Sequence, residues 1–96
     1  MDLNEIRKEI NEIDSILITN IAKRMELSKK IAQLKFEKGS EIQDKKREEE
    51  IIQDRAKRLE SLGIKDSEFS KKLFNTIIEE SKLIQENKIN ELKNGK

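Results

Sequence analysis

Apolar residues recur at three- and four-residue intervals from residue 3 to residue 34: Leu3, Ile6, Ile10, Ile13, Leu17, Ile21, Leu27, Ile31 and Leu34. This spacing keeps them on one face of an α-helix. Asp2 with Glu5 has the form of a capping box that opens the helix, and Gly39-Ser40 is a plausible stop. A helix over residues 4–38 is about 50 Å long at a rise of about 1.5 Å per residue. A compact domain of this chain length has a radius of gyration of only about 12–13 Å. The helix therefore overhangs any globule the chain builds alone, and its stripe needs a partner, most simply a second copy.

Two shorter helices follow. Ser40 and Gln43 repeat the capping-box pattern, and the segment after them places Ile51, Ile52, Arg55, Leu59 and Leu62 at helical spacing up to Gly63. Asp66 or Ser67 can cap a third helix carrying Phe69, Leu73, Phe74, Ile77, Ile78, Leu83, Ile84 and Ile89. Residues 90–96 are polar and expected to fray. Residues 1–96 thus read as a single all-α domain of one long and two shorter helices. A charged fraction of 43% raises the question of disorder, but 21 basic residues nearly cancel 20 acidic ones, and the Ile and Leu spacing is regular. The chain has no proline to break a helix.

Composition also narrows the chemistry. Without Cys or His, thiol nucleophiles, imidazole bases and ordinary zinc sites are excluded. Carboxylate-only metal sites remain open in principle, with no recognisable loop to hold one. No signal peptide or membrane span is legible, so a cytoplasmic location is expected. A net charge of +1, with basic residues interleaved among acids and only three aromatic residues, argues against a nucleic-acid surface.

The long stripe has two members unsuited to a core, Asn20 and Arg24. An Asn at one seam position commonly fixes register. An unpaired buried Arg costs several kcal/mol. Arg24 either snorkels to solvent or pairs with a neighbouring Glu, or its planar fork awaits an anion such as a carboxylate. Lys35 lies eleven residues later, close to three turns, and projects from nearly the same face about 16 Å along the axis. Arg7 lies seventeen residues earlier and about 100° around, so it is angled to serve a partner's site rather than its own. Asp44, Arg47 and Glu48 share one face within a charge run of the kind that is usually a solvated surface laced by ion pairs, and their local pattern alone does not single them out. In the third helix the stripe of Phe74, Ile77 and Ile78 passes into Ser81 and Gln85, polar groups where the helix either surfaces or borders a site.

Taken in order, these segments resemble the all-helical chorismate mutases. The resemblance runs from Leu3 to about Gln85. It is carried by Ile6-Arg7-Lys8-Glu9-Ile10 with Asp14, Ala22-Lys23-Arg24-Met25-Glu26-Leu27, Lys35, Asp44-Lys45-Lys46-Arg47-Glu48 and Ile77-Ile78-Glu79-Glu80-Ser81-Lys82-Leu83-Ile84-Gln85. One departure is Ser40-Glu41-Ile42, where the family often carries a proline before the second helix. The resemblance implies an intertwined helical homodimer and a cofactor-free, metal-free rearrangement of chorismate to prephenate in aromatic amino-acid biosynthesis, on the shikimate pathway. It implies that Arg24, with Arg7 of a second copy, grips the substrate carboxylates, with Ser81 as a further donor. Glu48 and the backbone at Asp44 would hold the ring hydroxyl, Arg47 would add positive charge, and Lys35 and Gln85 would point at the ether oxygen. An isochorismate pyruvate-lyase of the same fold and a non-catalytic helical dimerisation module are the alternatives.

Overall fold

Three aspartates start three helices. In each case the carboxylate accepts a hydrogen bond from the backbone N–H three residues on: Asp2 from Glu5 at 2.8 Å, Asp44 from Arg47 at 3.0 Å and Asp66 from Phe69 at 3.0 Å. Each satisfies an otherwise unpaired donor and sets a negative charge at the positive end of the helix. The computed structural model describes residues 1–95, which form α1 (Leu3–Lys38), α2 (Lys45–Ser61) and α3 (Ser67–Asn94).

Both helix ends that lead into a connection use one device. Gly39 and Gly63 adopt left-handed φ values of 71° and 103°. At the first, Gly39 N donates to Phe36 O and Ser40 N to Lys35 O; at the second, Gly63 N donates to Glu60 O and Ile64 N to Leu59 O. These paired bonds satisfy carbonyls left over at a helix end. They also correct the start expected for α2. Ser40 does not cap it, because the Ser40 backbone is engaged in closing α1, and the helix begins at Lys45 under Asp44 instead. The tail differs as well: residues 90–94 continue α3 as regular helix, while Lys96 lies outside the described residues.

The shape follows from the length of α1. Its 36 residues account for most of the 56 Å long dimension, and the radius of gyration is 16.9 Å, against about 12–13 Å for a compact chain of this size. α3 is the middle element, packing on both α1 and α2, while α1 and α2 make no close backbone approach to each other. The buried hydrophobic side chains among the described residues are only Ala32, Ile51, Ala56 and Ile78.

On α1 the buried positions are not the stripe. Ser28 and Ala32 are buried, whereas Leu27, Ile31 and Leu34 are exposed. Ser28 and Ala32 each follow a stripe member by one residue, which turns them about 100° around the helix. Small side chains let α1 and α3 approach closely, and Ser28 Oγ meets Ser81 Oγ across that approach. From residue 1 to residue 23 every side chain of the chain is exposed, including Ile6, Ile10, Ile13, Leu17, Asn20 and Ile21.

Candidate active site

Where α1, the start of α2 and α3 converge, they enclose a cavity of about 290 Å³. That is near the lower end of the ~300–1,000 Å³ usual for small-molecule sites. α1 contributes Arg24, Ser28 and Lys35, with Leu27 and Ile31 as apolar wall. The start of α2 contributes Asp44, Arg47, Glu48 and Ile51, and Ile42 comes from the connection. α3 contributes Ile78, Ser81, Lys82 and Gln85. Of the residues singled out in the sequence, Arg24, Lys35, Asp44, Arg47, Glu48, Ser81 and Gln85 are therefore brought together. Arg7 is not among them. It is exposed near the start of α1, about 25 Å from Arg24 along the axis at ~1.5 Å per residue.

The lining carries four cations, Arg24, Lys35, Arg47 and Lys82, against two carboxylates, Asp44 and Glu48. The surplus is two positive charges. The Arg24 pKa is lowered from its ordinary value, first by burial and then by repulsion from Arg55, outside the lining, and from Arg47 within it. Arg55 lies on α2 and is itself bonded to Asp54 at 2.7 Å. An anion entering the cavity would relieve that repulsion.

The two carboxylates are already engaged. Asp44 caps α2, and Glu48 pairs with Lys82 across the α2–α3 gap at 3.3 Å. Lys35 Nζ donates to Ile42 O at 2.6 Å, tying the end of α1 to the connection. An ammonium group has three donors, so two remain free.

A polar relay runs between α3 and α1. Ser28 Oγ donates to Arg24 O at 3.2 Å. Ser28 Oγ also meets Ser81 Oγ, and either hydroxyl can be the donor of that bond. Ser81 Oγ in turn accepts from Gln85 Nε2, at a long 3.5 Å. That bond leaves one N–H of Gln85 free, and Gln85 Oε1 is buried without a partner. Ser81, expected as a donor to a ligand carboxylate, lines the cavity with its hydroxyl beside Ser28 and Gln85.

The site suits a small dianion that is held and polarised rather than attacked. Backbone termini aside, its groups are guanidinium, ammonium, amide, hydroxyl and two occupied carboxylates. Among the described residues no three metal-ligating side chains are grouped so that they could hold a metal ion. No helix among them is long and apolar enough to cross a membrane.

Ser28 and Lys82 were missed by sequence reasoning, along with the apolar wall. Ser28 had a usable signal: it follows Arg24 by one turn and is polar on the same side. Lys82 had none, since a single lysine beside Glu79, Glu80 and Glu86 reads as solvated surface.

Residues 6–86 match the family model described as chorismate mutase type II. A chorismate mutase of Methanocaldococcus jannaschii is 37% identical over 92 residues, covering 96% of this chain and 92% of the relative. A bifunctional chorismate mutase/prephenate dehydratase of Buchnera aphidicola subsp. Schizaphis graminum is 35% identical over 96 residues, covering 97% of this chain and 24% of the relative. Another bifunctional protein of that name, from Buchnera aphidicola subsp. Acyrthosiphon pisum, is 42% identical over 78 residues, covering 78% of this chain and 19% of the relative. No solved structure matches the chain.

Proposed function

The chain belongs to the chorismate mutase type II family, and from that premise we propose that it converts chorismate to prephenate in the cavity between its three helices. The observation that carries the reading is the convergence of Arg24, Lys35, Arg47, Glu48, Ser81 and Gln85 from three helices on one cavity with two surplus positive charges. Chorismate is a dianion with an enol-ether bridge and a ring hydroxyl. The reaction is intramolecular: one C–O bond breaks, one C–C bond forms, and no proton is exchanged with the protein. A site without a nucleophile or a free base is therefore sufficient.

Arg24 grips one carboxylate. Arg7 of a second copy grips the other, with α1 of that copy laid along the exposed apolar face so that the start of one long helix reaches the cavity of its partner. Glu48, with the backbone at Asp44, accepts the ring hydroxyl, and Arg47 adds positive charge at the mouth. Lys35 and the free N–H of Gln85 meet the ether oxygen, where negative charge grows as the C–O bond lengthens. Donors placed for that charge act most strongly in the transition state. An acceleration of about a million-fold corresponds to roughly 8 kcal/mol. One well-aimed donor can supply about 3–4 kcal/mol of it, and restriction to the folded reactive conformer supplies the remainder in order of magnitude.

The test is incubation of the purified protein with chorismate and, separately, with isochorismate. Prephenate from chorismate supports the reading. Salicylate and pyruvate from isochorismate, with chorismate unchanged, would assign a lyase of the same fold instead. No turnover of either would leave a non-catalytic helical module.

A further inference from the structure

Lys82 belongs to the cavity but has no part in the roles assigned above. On its own helix the ordinary ion-pair partners of a lysine are acidic residues three and four positions away. Glu79 and Glu86 occupy both places. Lys82 pairs with neither, and its Nζ instead crosses to α2 and meets Glu48 Oε1 at 3.3 Å. The two side chains are only 27% and 21% exposed, so solvent and salt screen the pair less than they would a surface pair. Glu48 for its part has Lys45 three residues earlier, on the same face of α2, and forms no ion pair with it.

The pairing answers a problem that the site poses. A carboxylate in a cavity for a dianion repels the ligand, yet a hydroxyl acceptor is needed there. An adjacent ammonium group offsets the charge and leaves the second carboxylate oxygen free to accept. Without Lys82 the surplus of positive charge around the cavity falls from two to one, and Glu48 loses the contact that fixes its rotamer. We propose that Lys82 is a positioning residue, holding Glu48 against the cavity wall in the orientation that accepts the substrate hydroxyl. This rests on the mutase reading.

The experiment is a double-mutant cycle on chorismate turnover with Lys82→Met, Lys82→Arg, Glu48→Gln and Lys82→Met/Glu48→Gln. Lys82→Met is expected to lower kcat/KM about tenfold, mainly through KM, and Lys82→Arg to recover most of it. In the Glu48→Gln background, adding Lys82→Met is expected to change kcat/KM by less than about twofold, because the group it positions is gone. Full multiplication of the two losses, or a Lys82→Met enzyme within about twofold of the parent, would overturn the assignment. Where circular dichroism shows that methionine disturbs folding, Lys82→Gln takes its place in the same cycle. Absence of chorismate turnover by the unmodified protein would overturn the mutase reading, and the inference with it. Turnover with independent effects would overturn the inference alone.

Discussion

The two halves of α1 share a period and differ in what they face. From Leu3 to Lys23 every side chain is exposed, and the stripe of Ile6, Ile10, Ile13 and Leu17 covers nothing in its own chain. From Arg24 to Lys35 the helix lies against α3 and walls the cavity, and the residues it buries are Ser28 and Ala32. The large aliphatic stripe thus stays exposed in the single chain, while small and polar residues mark where the chain folds on itself and lines the cavity. An apolar face this long is unusual on a monomer and ordinary at an interface between copies.

Substitutions in the site half are the strongest probe of this contrast. Lys35→Ala and Gln85→Ala should each lower kcat by about 10²–10³-fold, the usual cost of removing a donor to developing charge, while sedimentation shows the parent's oligomeric state. Near-normal rates would remove both from the ether-oxygen role. Gln85→Glu adds a pH signature. Its side chain can donate only when protonated, so activity should be present at low pH and decline as pH rises through the carboxyl's pKa. A flat profile would show that the donor at position 85 is dispensable.

Substitutions in the overhanging half should act on assembly first. Burying an Ile contributes about 1.5–3 kcal/mol, and a charge forced onto the same face adds a desolvation cost. Ile13→Glu, alone or with Ile10→Glu, should shift the protein to the mass of a single chain in light scattering and remove activity with it. An unchanged mass would place the interface elsewhere.

The caps give the smallest effects and separate the halves most cleanly. Asp2→Ala and Asp44→Ala should each cost about 1 kcal/mol in thermal or denaturant unfolding. Asp44→Ala should also reduce turnover, since Asp44 holds the start of α2, and with it Arg47 and Glu48, at the cavity. Equal losses of activity from the two variants would break the distinction.

Much of this arrangement was legible beforehand. The Ile and Leu period placed α1, Asp2 and Asp66 marked helix starts, and the glycines marked two ends, because these depend on neighbours three or four residues apart. The start of α2 was misread, since Ser40-Gln43 and Asp44 both satisfy local cap rules and only the bond from Ser40 N to Lys35 O decides between them. Arg24, Ser81 and Gln85 were legible because each interrupts an apolar stripe, and Lys35 because it shares the face of Arg24, whereas Asp44, Arg47 and Glu48 read locally as solvated surface and were marked only by the family resemblance. Lys82 and Ile42 did not show in advance, and Ser28 showed only as a polar residue one turn after Arg24: the places of Ser28 and Lys82 come from the α1–α3 and α2–α3 crossings and that of Ile42 from the path of the connection, which no local pattern encodes. Small residues at a close helix approach look the same in sequence as small residues on a surface.

The central claim is that one copy's Arg7 completes the cavity holding the other copy's Arg24, and mixing variants tests it directly. Arg7→Ala and Arg24→Ala should each be nearly inactive alone. After unfolding and refolding together in equal amounts, half the dimers should be mixed, each with one intact and one doubly altered site. The account predicts recovery of about a quarter of the parent activity per chain. Mixed dimers demonstrated by mass, with activity no higher than that of the separate variants, would contradict it.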